Sequence, residues 1–528
     1  MAREHLYLTS SAVLGTYILW TVAEKYLLWS HDSHFTSNHD LAHPVIAALF
    51  VVPAVVLYNK AWYIFKMKAN NCGEVPTYPH TDPVFGSDWI RSSLAQQDRH
   101  NLLDWWQTLF DELGNTWWVK NPTNWVLMTS EPENLKAILA GSFDDFIITG
   151  PRRDAVLPIL GADAIFASNG QVWHDARAMM RPTFVRNQIA DLACFERHVG
   201  NLISRIPKDG TTVELQKLLY MMTMDSATDF MFGQSTDMLT TPSPEAQEFT
   251  SCFEYVTIRS AIRARLGMLV SLDRDKKWHE SLKVINRFCD NYVKSVKAEE
   301  KDLERGYVFL HEMIGQPGIT PEYIRAQLLS MILAGRDTTA STLSALFWIL
   351  ARRPDVVSKL RAEVEELGGQ LPTWEEMKDM KYLNMVLKEI LRLYPAVATM
   401  SRGTARDTTL PVGGGPDGKS PIFLPKGTPV RWSLFHMQRR KDLFGEDANE
   451  FRPERWEERR PSWDYVPFSG GPRICIGQQF ALTQMSYFVV RILQTFRSIS
   501  PKDERPMQQT VGITTKLPND VLLSFAPA

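Results

Sequence analysis

Apolar residues are spread unevenly along the chain. Two runs near its start, Leu6 to Ala23 and Leu41 to Tyr58, each extend 18 residues without an acid, lysine or arginine, and only His43 interrupts the second. Each is near the lower limit for a helix that crosses hydrocarbon. Pro53 would bend the second, a defect that membrane helices tolerate. Lys60, Lys66 and Lys68 follow, which by the positive-inside rule puts the remainder on the cytosolic side. A cleaved signal peptide is the competing reading of the first run, since "TVA" at 21–23 offers a small-residue site. The second run and its basic flank favour an anchor, with one span or two left open. Next comes "EVPTYPHTDPVFG" (74–86), whose prolines at 76, 79 and 83 favour extended, semi-rigid chain. The expected organisation is a membrane anchor over 1–70, a proline-rich hinge over 71–89, and one large domain over 90–528.

Beyond the hinge the helical period dominates. The clearest helix opens at Thr320-Pro321-Glu322, a cap residue followed by proline at the first helical position and an acid. It continues through "YIRAQLLSMILAGRDTTASTLSALFWILARR" to Pro354, on the order of 50 Å at ~1.5 Å per residue. Short strand signals, "TTLPVGGG" and "IFLPKGTPVRW", come later with turn residues between them. The fold class is therefore mainly α with a minor β portion. Within the long helix, "AGRDTT" (334–339) breaks a pattern that is apolar nearly all round. Gly335 costs roughly 1 kcal/mol against alanine, and Asp337, Thr338 and Thr339 compete for backbone bonds. A polar surface face is the plain reading; a cavity where something approaches the backbone fits the apolar flanks better.

Composition narrows the classes. Hydrophobic residues at 44% and charged residues at 22% describe a globular chain. A net charge of -2 over 58 basic and 60 acidic residues gives no field for nucleic acid. The five cysteines, at 72, 194, 252, 289 and 475, are too scattered for a disulfide framework and suit a reducing compartment. His31, His34, His39 and His43 match no metal-ligand spacing and read as a solvated loop.

Cys475 alone has a specialised setting, "FSGGPRICIG" (468–477), with three glycines and an arginine but no CxxC partner. Upstream, "VWHDARAMMRPTF" (172–184) sets Trp173 and Arg177 one helical turn apart, an indole donor and a guanidinium that can share an anion. "KEILR" (388–392) makes Glu389 and Arg392 neighbours at i,i+3, and "FRPERW" (451–456) supplies Arg455.

In this order WxxxR, AGxDTT, ExxR, PERW and FxxGxRxCxG resemble the signature set of the cytochromes P450, from about residue 90 to the end. The resemblance implies the cytochrome P450 fold preceded by the membrane anchor, with Cys475 as the thiolate ligand of haem iron. A thiolate pushes electron density onto the iron and favours O–O cleavage; Gly471 and Gly477 would allow the turn that holds it. Phe468 would shield the sulfur, while Arg473, Trp173, Arg177 and Arg402 would meet the haem propionates. Glu389, Arg392 and Arg455 would form a structural ion-pair network. Asp337 and Thr338 resemble the acid–alcohol pair that delivers protons during oxygen activation, with Thr339 as a less critical second hydroxyl.

The closer likeness, in segments 177–192, 439–456 and 471–496, is to fungal membrane-bound hydroxylases of n-alkanes and fatty acids. It implies an oxidoreductase that puts one oxygen atom from O2 into an apolar chain, at or near its end. Electrons would come from NADPH through a separate flavoprotein reductase, with cytochrome b5 as a second donor. The chain ends about fifty residues after the cysteine motif, which argues against a fused reductase. The implied location is the endoplasmic reticulum membrane, catalytic domain to the cytosol. Rival readings are a cytochrome P450 acting on a fungal secondary metabolite or xenobiotic, a reductase-independent haem-thiolate isomerase, and a non-enzymatic haem sensor. The last two leave the acid–alcohol pair without a purpose. Finally, "CFEYVTIRSAIRARLGMLV" (252–270) carries Arg259, Arg263 and Arg265 against a single acid. They are a solvated helix face, or meet anionic lipid headgroups, or, in the flap over the access channel that the resemblance implies, anchor a substrate carboxylate.

Overall fold

The computed structural model describes residues 42–527, apart from 123, 186–189, 191, 267–269, 271–272, 299–308, 315 and 317. The run Leu6–Ala23 and the histidines at 31, 34 and 39 lie outside the described residues. Backbone contacts divide the chain into two units. One takes the residues up to Asp98 with Trp105–Gly150 and Met400–Ser433; the other takes Arg99–Asp104, Pro151–Thr399 and Leu434–Ala528. The region expected as one domain over 90–528 thus contributes to both.

In the first unit, helices α1 (Ala42–Ala69), α2 (Ser87–Asp98) and most of α3 (Leu102–Leu113) accompany seven strands. The strands are β1 (Thr116–Lys120), β2 (Trp125–Thr129), β3 (Phe146–Ile147), β4 (Thr399–Thr404), β5 (Thr408–Gly414), β6 (Ser420–Leu424) and β7 (Pro429–Ser433). Five of them form one sheet in the order β1-β2-β7-β4-β3, and β5 and β6 pair as a separate hairpin. Antiparallel β1 and β2 put Trp117 opposite Met128; parallel β2 and β7 put Met128 opposite Arg431.

Two expectations change here. Helix α1 continues past the second apolar run, and its later part is docked: the Trp62 and Tyr63 rings each lie 6.0 Å from Phe423 on β6. Among the described residues no helix is long and apolar enough to cross a membrane. The supposed hinge is tied down too. Trp118 N–H donates to the Pro76 carbonyl (2.7 Å) and Tyr78 N–H to the Trp118 carbonyl (2.8 Å), so the proline segment runs beside β1. Gly415 N–H reaches the Glu74 carbonyl, and His80 sits between the Asp88 carboxylate (2.9 Å) and the Lys120 N–H (2.9 Å). Extended polyproline chain has no internal backbone bonds, which leaves its amides and carbonyls free to join a sheet edge.

The second unit is mainly helical: α4 (Gly170–Met180), α5 (Ala193–Ser204), α6 (Leu215–Phe232), α7 (Pro244–Leu266), α8 (Lys276–Ala298), α9 (Pro321–Leu350), α10 (Lys381–Leu393) and α11 (Gln478–Thr495). A three-stranded sheet of Val213–Glu214, Leu522–Pro527 and Phe496–Pro501 accounts for most of its β structure. The N-terminus of α9 forms as the sequence indicated, with the Thr320 side chain accepting from Tyr323 N–H and Pro321 in the first turn. One core unites α9, α10 and α11 through buried Leu343, Leu346, Phe347, Ile390, Tyr487, Phe488 and Val489.

Helix α9 lies along α6, and this contact explains Gly335 differently from the sequence reading. A Cβ at Gly335 would stand 3.4 Å from both Ala227 Cβ and Met231 Cε. What approaches the backbone there is the neighbouring helix. Four hydroxyls of α9 are absorbed locally, Ser330, Thr338, Thr342 and Ser344 each donating to the carbonyl four residues back, while Ser341 donates to the Thr515 carbonyl.

Candidate active site

The loop before α11 is built around one thiol. Cys475 N–H donates to the Phe468 carbonyl at 2.9 Å and Ile474 N–H to Gly471 at 3.1 Å, closing a tight turn. Two residues of the loop have left-handed backbone, Gly471 (φ 63) and, against type, Ser469 (φ 63). Gly470 is needed for space: a Cβ would come within 2.6 Å of the Trp463 ring. Gly477, expected to supply an unusual φ, has an ordinary one (φ -91), and its bareness instead admits Phe184, 3.4 Å from where a Cβ would be. Phe468 is half-buried at the margin of the core.

Cys475 is solvent-accessible, yet enough protein surrounds it that burial pushes its thiol pKa up. The sulfur is thus reachable from solvent while protein surrounds most of it. The Gly477 N–H and the Arg177 charge act the other way, favouring the thiolate, as does its place just ahead of the 18-residue helix α11. Coordination of a cation by such a thiol would release its proton to solvent and leave the sulfur as thiolate.

Helix α4 brings its side chains to the same place. Burial lowers the Arg177 pKa while the Cys475 charge opposes that, and among the described residues its guanidinium makes no hydrogen bond or ion pair. Trp173 is buried, and the Arg473 guanidinium carbon lies 4.2 Å from its ring centroid. Arg473 also donates to the Ser168 carbonyl (2.9 Å) and to Asn169 Oδ1 (3.2 Å). Cys475, Arg177, Trp173 and Arg473 are thus one cluster. Arg402 lies on β4 in the first unit, buried, 5.7 Å from the Trp432 ring and donating to the Ser401 carbonyl.

On α9, Asp337 is buried and accepts from Arg336 Nη1 at 2.7 Å. Burial raises its pKa; the charges of Arg336 and then Lys516 pull it back. Arg336 also stacks 4.8 Å over the Tyr220 ring. Sequence reasoning missed Arg336, because adjacent helical residues do not ordinarily face each other. Thr338 is half-buried, its hydrogen committed to the Ala334 carbonyl at 2.7 Å, which leaves the oxygen lone pairs as acceptors. Thr339 is buried.

Glu389 is the hub of a fully buried network. Arg392 grips both its oxygens (2.9 and 2.7 Å), Arg455 Nε donates at 2.9 Å, and Trp456 Nε1, from the same PERW motif, adds another 2.9 Å bond. Arg392 and Arg455 carry on to the carbonyls of Gln438, Ala448, Phe444 and Asp447. The network pins the 438–456 loop to α10.

The arginines of α7 are a correction. Arg259 binds Asp275 (2.9 Å) and Asp273 (3.0 Å), while Arg263 binds Asp273 and stacks 4.7 Å over Trp278. The two aspartates, invisible as partners in the sequence, neutralise the charges a substrate carboxylate would need. The Arg265 side chain lies outside the described residues. One further cluster escaped sequence reasoning: Cys194 and His198 on α5 with Asp229 on α6. Arg197 Nη1 stands 2.9 Å from the same Asp229 oxygen as His198 Nε2, making this an ion-pair junction hostile to a cation.

Comparison with known proteins agrees with this arrangement. The family model described as Cytochrome P450 matches residues 83–523. Cytochrome P450 monooxygenase FPY7 of Fusarium mangiferae is 40% identical over 460 residues, covering 85% of this chain and 88% of the relative. Cytochrome P450 monooxygenase himC of Aspergillus japonicus is 37% identical over 512 residues, 93% of this chain and 91% of the relative. Cytochrome P450 52A5 of Candida maltosa is 38% identical over 513 residues, 91% and 97% respectively.

Proposed function

Because the chain belongs to the cytochrome P450 family, and so is a haem-dependent monooxygenase, we propose that Cys475 holds its haem and that it hydroxylates a fatty acid or n-alkane at or near the chain end. The residues fit the cofactor. One enclosed, accessible sulfur stands beside Arg177, a cation with no protein partner among the described residues, with Trp173 and Arg473 adjoining. Cys475 would ligate the iron and Arg177, Trp173 and Arg473 would meet the propionates, a set to which the family resemblance alone adds Arg402. Bound haem supplies the O2 chemistry that inserts one oxygen atom into an unactivated C–H bond.

The chain's own residues do the rest. The Gly477 N–H and the Arg177 charge stabilise the Cys475 thiolate. Asp337, buried and oriented by Arg336, would be the proton carrier; burial raises its pKa and the Arg336 charge opposes that. Thr338 bonds to the Ala334 carbonyl and would have to turn its hydroxyl from it to donate a proton. Glu389, Arg392 and Arg455 hold the loop that precedes the thiolate.

The enclosed, accessible thiol is the observation that carries the reading. The substrate class is supported by the likeness of segments 177–192, 439–456 and 471–496 to fungal alkane and fatty-acid hydroxylases. Like its family the enzyme needs O2 and a redox partner; NADPH–cytochrome P450 reductase is the proposed donor, with cytochrome b5 accessory. Attachment to the cytosolic face of the endoplasmic reticulum is supported by Leu57, Tyr58 and Phe65, exposed along α1 among its lysines. The test is to reduce the purified full chain under carbon monoxide, then to supply reductase and NADPH with lauric acid, palmitic acid and hexadecane. A thiolate-type spectrum and terminal alcohols are expected. Haem-loaded protein without that spectrum overturns the role of Cys475; the spectrum without turnover of any linear chain overturns the substrate class.

A further inference from the structure

In the second unit a short hairpin, Thr510–Val511 paired with Thr515–Lys516, leans on α9. Its Thr515 is fixed from several sides. The Thr515 N–H donates to the Ala396 carbonyl (2.8 Å), its hydroxyl donates to the Pro395 carbonyl (3.2 Å), and its carbonyl accepts from the Ser341 hydroxyl. Ser341 and Asp337 are i,i+4 neighbours on α9 and share one face. The backbone of Lys516, the next residue after Thr515, is therefore held against the Asp337 face of the helix. Its ammonium stands 3.5 Å from Glu254 Oε1 on α7.

Four elements thus bring a charge or a titratable ring to one carboxyl. Arg336 from α9 donates to it (2.7 Å), and the Tyr220 ring from α6 lies 4.8 Å from that guanidinium. Lys516 comes from the hairpin and Glu254 from α7. Arg336 and Asp337 are almost fully buried, whereas the Lys516 side chain is 28% exposed and that of Glu254 52%. One ion pair is the buried end of the group and the other its solvent-facing end. Their charges act on Asp337 with opposite signs: Lys516 favours its carboxylate and Glu254 opposes it. A buried carboxyl responds to such charges because the low dielectric around it strengthens them. Burial and the Asp337 charge push Tyr220 far above the ordinary phenol range, so it stays neutral and adds no charge of its own.

We propose that Lys516 and Glu254 are positioning residues for proton delivery, a solvent-facing ion pair that sets how much of Asp337 is carboxylate. Lys516 holds the acid in the form that accepts a proton from solvent water. Glu254 limits that hold, so that the proton can be passed on. No bond is made or broken at either residue; both act through Asp337. The inference rests on the reading of Asp337 as the proton carrier and adds the groups that poise it.

The experiment is an infrared pH titration of the full-length holoenzyme, following the protonated-carboxyl stretch that Asp337→Asn removes. Lys516→Met deletes the cation and leaves the Glu254 carboxylate uncompensated, so the midpoint should move up. Glu254→Gln deletes the anion, so the midpoint should move down. The double variant loses one charge of each sign and should return close to the wild type. An exposed ion pair contributes little to stability, and one with a merely structural role would not shift the two single variants in opposite directions. A midpoint common to all variants, single variants that shift in the same direction, or a carboxyl that never titrates overturns the proposal. Product per NADPH, read over the same pH range, separates this from the relay itself. Midpoints that move as stated, with a product yield that even Asp337→Asn leaves unchanged, would refute Asp337 as the proton carrier and keep the ion pair's hold on it. Uncoupling by Asp337→Asn with unmoved midpoints in the other variants would do the reverse.

Discussion

Thr338 and Gly470 separate chemistry from construction at the residue scale. The Thr338 hydroxyl bonds only to its own helix at Ala334, so Thr338→Ala should leave thermal stability and substrate binding nearly unchanged. If the hydroxyl passes protons, product per NADPH should fall by about 10-fold or more, with hydrogen peroxide making up the difference; unchanged coupling would remove Thr338 from the relay. Gly470→Ala acts the other way. Its Cβ would collide with Trp463 at 2.6 Å, and overpacking of that kind costs about 1–3 kcal/mol. A lower melting temperature and a reduced–CO spectrum shifted toward a neutral-thiol form are expected, whereas Gly477→Ala, at 3.4 Å from Phe184, should be milder on both measures. The sequence pointed to the glycines of this loop but not to what each one does. A φ value can be guessed from residue type; the ring that fills a missing Cβ comes from elsewhere in the chain.

Among the elements, α9 and α10 show what local patterns can and cannot say. The start of α9 was legible because its signals, Thr320 and Pro321, act within one turn. The i,i+3 pair Glu389–Arg392 was legible for the same reason. The purpose of Gly335 was not, since it depends on Ala227 and Met231 of α6. Nor were the partners of Arg259 and Arg263, which wait on a loop ten or more residues away to fold back. The Glu389 hub gives the prediction for this scale. Glu389→Gln leaves two buried guanidiniums short of their anion, and breaking such a pair costs about 3–5 kcal/mol. The 438–456 loop should loosen first, seen as faster amide exchange there and as haem lost on mild warming. A variant with wild-type stability would show that the neighbouring carbonyls suffice.

For the whole molecule, the consequence lies at its N-terminal side. Because Trp62 and Tyr63 are packed on Phe423, a truncation should stop short of them. Deleting residues 1–53 should keep haem binding and weaken membrane attachment, leaving carbonate-extractable protein; attachment that survives carbonate would place the anchor later in the chain. Deeper truncation should fail for a different reason. Strand β1 ends the five-stranded sheet, and the outward backbone groups of Trp118 are taken by Pro76 and Tyr78. That covering segment is itself punctuated by Pro76, Pro79 and Pro83, which have no N–H with which to recruit a further strand. The proline stretch is in this sense a selvedge, finishing the sheet so that it cannot be sewn to another copy. A chain begun after residue 83 should keep its helices yet self-associate through bare β1, growing in light scattering with concentration; a monodisperse product would show that another part of the fold guards the edge.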